Sequence, residues 1–267
     1  MDYKIDGKDI VLRQNDFNLD ETLDCGQAFR WTKTASNTYS GHFFNTPLTI
    51  CCENKSDGIF RLRDTDEKTF LDVWYDYFDF DTDYGELKKQ FSEDETMSKA
   101  CAYAGGIRIL KQDTWETLSS FIISQNNNIP RIKSIINRLC EHYDGYPTVS
   151  QMSRETTESL GYLRSGFRAK YLVDAVSKLD SGQLNLKEIR HMPIDDARKA
   201  LMSIKGIGPK IAECVLLFGM YRVEAFPIDV WVKRVMERWY PNGLPDCIKG
   251  CEGIAQQYLF HYIRNLK

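Results

Sequence analysis

Hydrophobic and polar residues follow a strand-like pattern in the first quarter of the chain. Between about residue 9 and residue 63, short runs rich in β-branched and aromatic residues are separated by turn-forming Gly, Pro, Asn and Ser. The runs predicted to form strands are IVLR (10–13), AFRW (28–31), YSGHFF (39–44), LTICC (48–52) and IFRLR (59–63). Short strands that follow one another through turns pair in opposite directions, so we expect an N-terminal antiparallel β-sheet.

The segment from residue 64 to residue 91 has a different texture, because acidic residues alternate with aromatic ones. We expect a helix and a connection whose aromatic side is buried and whose acids face solvent. Beyond residue 98 the apolar spacing becomes helical, with repeats at i, i+3 and i+4. The predicted helical segments are 115–125, 131–143, 169–180, 195–204, 210–220, 229–240 and 254–266.

These patterns predict an α+β protein with two domains. Residues 1–98 form the β-rich domain, and residues 99–267 form an all-helical body. At 267 residues the chain is long enough to bury a substantial core without disulfides or metals. We find no internal repeat and no low-complexity linker.

Composition excludes several classes of protein. Hydrophobic residues make up 42% and charged residues 27% of the chain, and no apolar run approaches the roughly 18–20 residues that span a bilayer. The N-terminus is charged and lacks the apolar stretch of a secretion signal, so we expect a cytoplasmic protein that does not enter membranes. The eight cysteines contain no CxxC pair, which argues against a zinc site and against a disulfide framework.

Charge is distributed unevenly along the chain. Residues 99–267 hold 24 Lys and Arg against 17 Asp and Glu, a net charge of +7, although the whole chain carries −3. The first 98 residues carry −10. Such an asymmetry suggests that the second half meets a polyanion, although two solvated surfaces of different charge would produce the same counts.

The sequence LMSIKGIGPKIAEC (201–214) predicts a helix, a tight hairpin at Gly206 and Gly208, and a second helix that starts at Pro209. Backbone N–H groups at such a helix start bind phosphate without needing a net positive charge. The motif therefore favours DNA binding, although a helix pair inside an ordinary core also uses glycine.

Lys210 follows the hairpin directly and lies four residues before Cys214, so both share one helix face. Downstream, the pattern FPIDVWVKRV places Asp229 at the N-cap of the next predicted helix. A lysine in this place is ordinarily a phosphate contact or a solvated charge. Beside a DNA-binding hairpin, however, an amine can attack a deoxyribose C1′ and a carboxylate can stabilise the charge that develops as the base leaves.

Five ordered segments then carry a family resemblance: CGQAFRW (25–31), SQNNNIPRI (124–132), GFRAKY (166–171), GIGPKIAEC (206–214) and AQQYLF (255–260). Together they resemble the 8-oxoguanine DNA glycosylases of the helix-hairpin-helix superfamily, in a prokaryotic form. The resemblance implies excision of 8-oxoguanine from double-stranded DNA, opposite cytosine, with associated cleavage of the strand. It implies that Lys210 is the nucleophile and Schiff-base lysine, and that Asp229 assists base loss.

The resemblance also assigns residues that would hold the DNA. Chemistry on a base inside a duplex requires that the nucleotide be flipped out. By resemblance, Asn126 fills the vacated stack, Phe167 wedges the strand, and Arg131 and Arg168 read the orphaned cytosine. Asn and Arg also serve as ordinary helix caps and surface charges, which is the alternative for each of them.

A further group is implied in recognition of the lesion. 8-Oxoguanine carries a proton at N7, and the family places a backbone carbonyl at Gly26 to accept it. Gln256 would bind the Watson–Crick edge, and the base would lie between Phe260 and Cys214. Plain core packing of the last helix is the alternative for Phe260.

Some features depart from the family or favour other classes. Trp231 stands where eukaryotic members carry histidine, so a phosphate contact there would come from the indole N–H. By resemblance, backbone carbonyls of the hairpin near Met202, Ile204 and Ile207 could bind a cation. We otherwise expect no cofactor and no set of metal ligands, and we expect the protein to be a monomer. Three other classes of protein are the alternatives. An iron–sulfur glycosylase would need four closely spaced C-terminal cysteines, and an alkylbase glycosylase lacks the lysine. A non-catalytic hairpin module would only bind DNA.

Overall fold

The fold is described from a computed structural model, which describes residues 2–266. Packing divides the chain into two compact units. The first consists of the described residues up to Lys111 together with those from Ile228 onward, and the second is Gln112–Pro227. Residues 99–111 and the C-terminal helices pack with the first unit. The domain boundary predicted at residue 98 was drawn from sequence texture, and it stays a prediction.

The first unit contains a six-stranded sheet in which every paired strand is antiparallel, as expected. The strand order is β1-β2-β6-β5-β4-β3. The bounds are β1 Asp2–Asp6, β2 Asp9–Arg13, β3 Thr32–Ala35, β4 Thr38–Phe43, β5 Thr46–Asn54 and β6 Ile59–Arg63. Four of the five predicted runs lie in β2, β4, β5 and β6, so the α+β fold class is confirmed.

The sheet also shows two errors of the sequence pattern. The predicted strand at 28–31 is wrong, because Ala28, Phe29 and Trp31 are all buried in irregular backbone instead of alternating between two faces. The two edge strands, β1 and β3, were missed because their side chains are mostly exposed, as in Ile5 at 57% exposure. An exposed edge carries little of the alternation on which strand prediction depends.

Aromatic residues form the centre of the first unit. Trp31, Trp74 and Phe78 lie with their ring centroids 5.9–6.1 Å apart, and the Trp31 indole N–H donates to the Tyr77 hydroxyl at 2.7 Å. The predicted burial of aromatics over residues 64–91 is confirmed. The helices of this unit are α1 Leu19–Leu23, α2 Glu67–Thr69, α3 Tyr75–Tyr77, α4 Tyr84–Phe91, α5 Glu95–Tyr103, α13 Val230–Trp239 and α14 Glu252–Asn265, with a π-helical segment Phe70–Trp74.

The second unit is all-helical. The five helical segments predicted within it agree with observed helices to within a few residues, whereas the two short helices at 149–152 and 186–191 were not predicted. The helices are α6 Thr114–Ser124, α7 Ile129–Tyr143, α8 Val149–Met152, α9 Ala169–Asp180, α10 Leu186–His191, α11 Ile194–Met202 and α12 Pro209–Cys214, with 3-10 segments Ser159–Leu163 and Gly166–Arg168. A π-helical segment, Val215–Gly219, continues α12. The 3-10 segment Asp246–Ile248 belongs to the first unit.

Two predicted exclusions concern the whole described chain. Within residues 2–266 no helix combines the length and apolar character needed to cross a membrane. All eight cysteines are free thiols, and four of them are buried: Cys25, Cys51, Cys101 and Cys214. The prediction that the cysteines form no disulfide framework is confirmed.

Candidate functional site

The glycine hairpin lies between α11 and α12, as the sequence predicts. Gly206 has a φ of +82°, and a Cβ there would lie 2.4 Å from the ring of Tyr171, so backbone conformation and space both require glycine. Ile204 and Ile207 are buried on either side, and the Ile207 N–H donates to the Ile204 carbonyl at 3.1 Å. The hairpin is therefore anchored by two isoleucines and pressed against one tyrosine.

Helix α12 begins without a side-chain cap. Its N-cap is Gly208, in an extended conformation, and Pro209 occupies the first helical turn. A cap side chain would accept hydrogen bonds from the first-turn amides, and glycine has none to offer. Pro209 has no N–H, and the Ile211 N–H donates to the Gly208 carbonyl at 3.1 Å. This helix start therefore offers the Lys210 N–H and the positive end of the helix dipole to a ligand from outside the chain.

Lys210 is exposed in the first turn of α12. Its Nζ lies 5.6 Å from the ring centroid of Phe121, a buried residue of α6. Phe121 is itself stacked on Phe218, with centroids 5.7 Å apart and planes inclined by 10°. One turn further, Cys214 is 3% exposed. The amine thus lies over an aromatic floor with a buried thiol on the same helix.

The turn between α6 and α7 carries Asn126. This residue is exposed and has a φ of +46°, which is uncommon for a residue other than glycine but tolerated by asparagine. Two residues later Asn128 caps α7 by accepting from the Arg131 N–H at 3.0 Å. The Arg131 side chain is exposed. The asparagine that caps α7 is therefore Asn128 and not Asn126.

Arg168 is buried, at 3% exposure, and it supports this turn. Its guanidinium donates to the carbonyls of Gln125, Asn126 and Ser165, with the Asn126 bond at 2.8 Å. Burial, together with the nearby charge of Arg131, lowers the pKa of Arg168. The arginine that sequence reasoning assigned to base reading is, in this structure, bonded to backbone.

Phe167 is exposed beside this buried arginine, at 44%. The Arg168 guanidinium lies 4.5 Å from its ring centroid, and the Tyr171 ring meets it edge-on at 5.7 Å. In the second unit the structure thus brings Asn126, Phe167 and Arg168 together.

In the first unit, Asp229 caps α13, as predicted. Its Oδ1 accepts from the N–H groups of Trp231 at 2.9 Å and Val232 at 2.8 Å. Among residues 2–266 no group donates to Oδ2, which leaves that oxygen for other chemistry. Exposed apolar residues flank the aspartate, with Ile228 at 50% and Val230 at 70% exposure.

Trp231 follows in the first turn of α13 and is half-buried. The guanidinium of Arg234 lies 4.7 Å from its ring centroid. A cation over an indole face is a favourable arrangement. At the position where this chain has Trp231 in place of histidine, the cation beside the ring is therefore Arg234.

Gly26 lies in the irregular segment after α1 with a φ of +92°. The buried side chain of Gln27 holds this segment: it donates to the carbonyls of Thr22 and Arg108 at 2.9 and 2.8 Å, and accepts from the Leu110 N–H at 3.0 Å. Sequence reasoning did not single out Gln27. A glutamine in the mostly apolar run CGQAFRW was the available signal, because buried amides need specific partners.

Gln256 and Phe260 lie four residues apart on α14. Gln256 is 3% exposed and accepts from the Gln257 amide at 2.6 Å, whereas Phe260 is only half-buried and lies under the guanidinium of Arg264 at 5.1 Å. Incomplete burial does not favour the alternative that Phe260 is plain core. Burial, aided by Arg264, lowers the pKa of the adjacent His261 to about 4.

The predicted site residues therefore fall into two sets by unit. The second unit holds Lys210 and Cys214 on one helix and the turn cluster around Asn126; the first holds Asp229, Gly26 and the α14 pair. Sequence reasoning missed Phe121, which is one of several buried residues of α6 and carries no local signal that separates it from ordinary core. Within residues 2–266 no group of three or more His, Cys, Asp or Glu side chains lies together as a metal site would require.

Two family models match consecutive parts of the chain. Residues 9–118 match the family described as 8-oxoguanine DNA glycosylase, N-terminal domain. Residues 119–245 match the HhH-GPD superfamily base excision DNA repair protein.

Several relatives span most of the chain. The N-glycosylase/DNA lyase of Saccharomyces cerevisiae is 33% identical, covering 90% of this chain and 72% of that protein. A probable N-glycosylase/DNA lyase of Methanothermobacter thermautotrophicus is 31% identical over 69% of this chain and 70% of its own. The solved 8-oxoguanine glycosylase/lyase of Clostridium acetobutylicum, in complex with double-stranded DNA containing cytosine opposite 8-oxoguanine, superimposes with a TM-score of 0.88 at 36% identity, covering 99% of both chains.

Proposed function

This chain belongs to the 8-oxoguanine DNA glycosylase family, and from that premise we propose that it excises 8-oxoguanine from duplex DNA with Lys210 as the nucleophile. The protein is a bifunctional DNA glycosylase/lyase of base excision repair.

The observation that carries the proposal is the position of Lys210. Its amine is exposed in the first turn of an uncapped helix, over the ring of Phe121. The uncapped amides suit a DNA phosphate, and a lysine beside them reaches the sugar attached to that phosphate. Attack of the neutral amine on C1′ displaces the base, and the C1′–N bond rearranges to a Schiff base as the sugar ring opens.

Strand cleavage follows from the same covalent intermediate. The Schiff base acidifies the C2′ proton, and its removal expels the 3′ phosphate by β-elimination. Asp229 would stabilise the positive charge that develops on the sugar as the base leaves. Its Oδ2 oxygen, which accepts no bond among residues 2–266, supports this assignment.

Base extraction is assigned to the turn cluster of the second unit. Asn126 would occupy the space that the flipped nucleotide vacates, and Phe167 would wedge the strand. Both side chains are exposed, as insertion into DNA requires. The partner base, cytosine by resemblance, would be read by Arg131, which is exposed, and by Arg168 once its bonds to the turn carbonyls exchange.

Lesion recognition is assigned to four residues. The carbonyl of Gly26 would accept from the N7 proton that distinguishes 8-oxoguanine from guanine, and the bonds of Gln27 hold that segment in place. Gln256 would bind the Watson–Crick edge, with Phe260 and Cys214 against the base. An unmade or repulsive buried polar contact costs about 1–3 kcal/mol, which is roughly 5- to 150-fold in selectivity.

The experiment that tests the nucleophile is borohydride trapping. Reduction of the Schiff base on an 8-oxoguanine duplex should give a covalent protein–DNA adduct, visible by gel electrophoresis. Lys210→Gln should abolish both the adduct and base release while the variant still binds the lesion duplex, because glutamine stays polar and is only one atom shorter but has no nucleophilic amine.

A matched variant controls for loss of positive charge. Lys199 is an exposed lysine of α11 that makes only a 3.4 Å pair with Asp196, so Lys199→Gln should trap DNA as the parent does. Tight binding of the parent protein without any adduct would instead identify a hairpin module that only binds DNA. If Lys210→Gln lost lesion binding as well, Lys210 would be a phosphate contact.

A further inference from the structure

One face of α9 is devoted to the glycine hairpin. Tyr171, Asp174 and Lys178 stand at i, i+3 and i+7 on this helix, which places them on one side. All three contact the hairpin segment from 203 to 206. Sequence reasoning assigned no function to Asp174 or Lys178.

The contacts of Asp174 are specific and polar. Its Oδ2 accepts from the backbone N–H of Lys205 at 2.7 Å and from Lys178 Nζ at 2.8 Å. Lys178 Nζ in turn donates to the carbonyl of Ser203 at 2.5 Å. Two side chains thus tie down both ends of the stretch Ser203–Lys205, one through its N–H and one through its carbonyl.

The third contact fixes the next residue. Gly206 lies so close to the Tyr171 ring that even a methyl group would not fit. The Tyr171 ring also meets the exposed ring of Phe167 edge-on at 5.7 Å. The same helix face therefore touches the hairpin and the residue proposed to wedge the DNA strand.

The charge of Asp174 calls for an explanation. A carboxylate beside a hairpin that binds phosphate repels its ligand, so on electrostatic grounds the position favours a neutral or basic residue. Asp174 and Lys178 are mostly buried as a pair, with side-chain exposures of 26% and 19%. Burial alone would favour the neutral acid, but the bonds from Lys178 and the Lys205 N–H outweigh it and hold the pKa of Asp174 below its usual value.

We propose that Asp174, paired with Lys178, is a positioning residue that fixes the hairpin in its phosphate-binding conformation. The pair acts through the hairpin backbone and does not itself contact DNA. If the hairpin already has its DNA-bound conformation before DNA binds, less binding free energy is lost in ordering its backbone. This inference rests on the proposed function, since it assumes that the hairpin binds DNA phosphate.

The test exploits a conflict of sign. Asp174→Asn removes a negative charge, so electrostatics alone predicts tighter DNA binding, whereas loss of positioning predicts weaker binding. We expect the Kd for a fluorescein-labelled undamaged duplex to rise about three- to tenfold, because the bonds lost are charge-assisted. Asp180→Asn is the matched control: Asp180 is the exposed last residue of α9, and the same charge change there should leave the Kd equal or lower.

Hydrogen exchange supplies a readout that charge does not move. Asp174→Asn should speed exchange of the amides from 203 to 208, and Asp180→Asn should not. Binding by Asp174→Asn as tight as that of Asp180→Asn, or unchanged hairpin exchange, would overturn the inference. Borohydride trapping by the parent protein separates this result from failure of the proposed function.

A second pair keeps the test decisive should Asp174→Asn lose its fold. Lys178→Met removes the donor to Ser203, and Lys187→Met removes an exposed lysine from α10 in the same unit. Both lower the positive charge by one, so equal losses of affinity would refute positioning. The expected result is a loss about threefold or more greater for Lys178→Met.

Discussion

The starts of helices α12 and α13 have nearly the same backbone and opposite chemistry. Gly208 has φ −100° and ψ 178°, and Asp229 has φ −101° and ψ −171°. Asp229 satisfies two first-turn amides with its own carboxylate, whereas Gly208 has no side chain that could do so. One backbone conformation thus serves either to close a helix start or to leave it open for a ligand.

The comparison explains how each residue can combine a structural and a chemical task. Lys210 lies in the first turn of the open helix, where a phosphate would neutralise the amides. Asp229 uses one oxygen as a cap and keeps the other. Capping fixes the carboxylate in position, which is what the proposed stabilisation of a developing cation would require.

The largest expected effect separates the two tasks of Asp229. Asp229→Asn keeps a good capping side chain, so the free energy of unfolding should change by only a few tenths of a kcal/mol. The substitution removes the charge, and single-turnover excision of 8-oxoguanine should slow by about 10²–10³-fold. Quench-flow or manual-mixing kinetics at saturating enzyme measure the rate, and urea denaturation measures stability.

Asp229→Ala provides the contrast for that variant, because it loses the cap as well as the charge. Its free energy of unfolding should fall by about 1 kcal/mol, and its excision of 8-oxoguanine should also slow. If Asp229→Asn excised the base at the parent rate, Asp229 would be a cap and nothing more.

The next effect tests whether the open helix start binds phosphate. A Cβ at Gly208 would meet no atom within 4 Å, so Gly208→Asp should fit and make α12 resemble α13. We expect a small gain in stability, a few tenths to about 1 kcal/mol, because the new carboxylate caps the helix and faces its dipole. DNA affinity should fall by about ten- to a hundredfold, since the amides are taken and a negative charge is added.

Gly208→Ala is the size control for this experiment. It adds a methyl group without a cap or a charge, so its loss of affinity should be much smaller than that of Gly208→Asp. Fluorescence anisotropy with duplex DNA gives the two values of Kd. Comparable affinities for the two variants would show that the open amides do not bind phosphate.

Helix α7 gives the comparison a third member, with the smallest expected effect. Its cap, Asn128, bonds the Arg131 backbone, so Arg131→Ala leaves the helix start closed and removes only an exposed side chain. The preference for cytosine opposite the lesion should fall by about five- to tenfold, as expected for loss of one base-reading side chain. Excision rates on four duplexes, one for each partner base, measure it.

Arg154, which is also exposed, supplies the charge control for that measurement. Arg154→Ala should keep the parent ratios among the four partners. Ratios that stay constant in Arg131→Ala would remove Arg131 from partner recognition.

Local pattern was a good guide wherever burial follows a single helix or strand period. Helix α9 coincides with the predicted segment 169–180, and the Asp229 cap was predicted from its position before an apolar pattern. The strand prediction at 28–31 failed because Ala28, Phe29 and Trp31 are all buried in irregular backbone, a pattern that follows neither the strand nor the helix period.

Arg168 shows a different limit of sequence reasoning. A basic residue beside a DNA-binding motif suggests an exposed contact, but its guanidinium is buried against the carbonyls of Gln125 and Asn126. Those carbonyls are 42 and 43 residues away in sequence, so no local pattern marks the pairing. The same holds for Asp174 and the Lys205 N–H, which are 31 residues apart.

The sequence by itself determined the α+β class, the hairpin and the family, because turn chemistry, helix period and ordered motifs are local properties of a chain. Only the tertiary structure decided which polar side chains stay exposed and which form hydrogen bonds with backbone groups. That choice depends on which donors and acceptors from distant segments meet in space, and buried polar groups must be paired whatever their local sequence. Lys210 is exposed over Phe121, whereas Arg168 and Asp174 are bonded to the backbone of the 125–126 turn and of the hairpin.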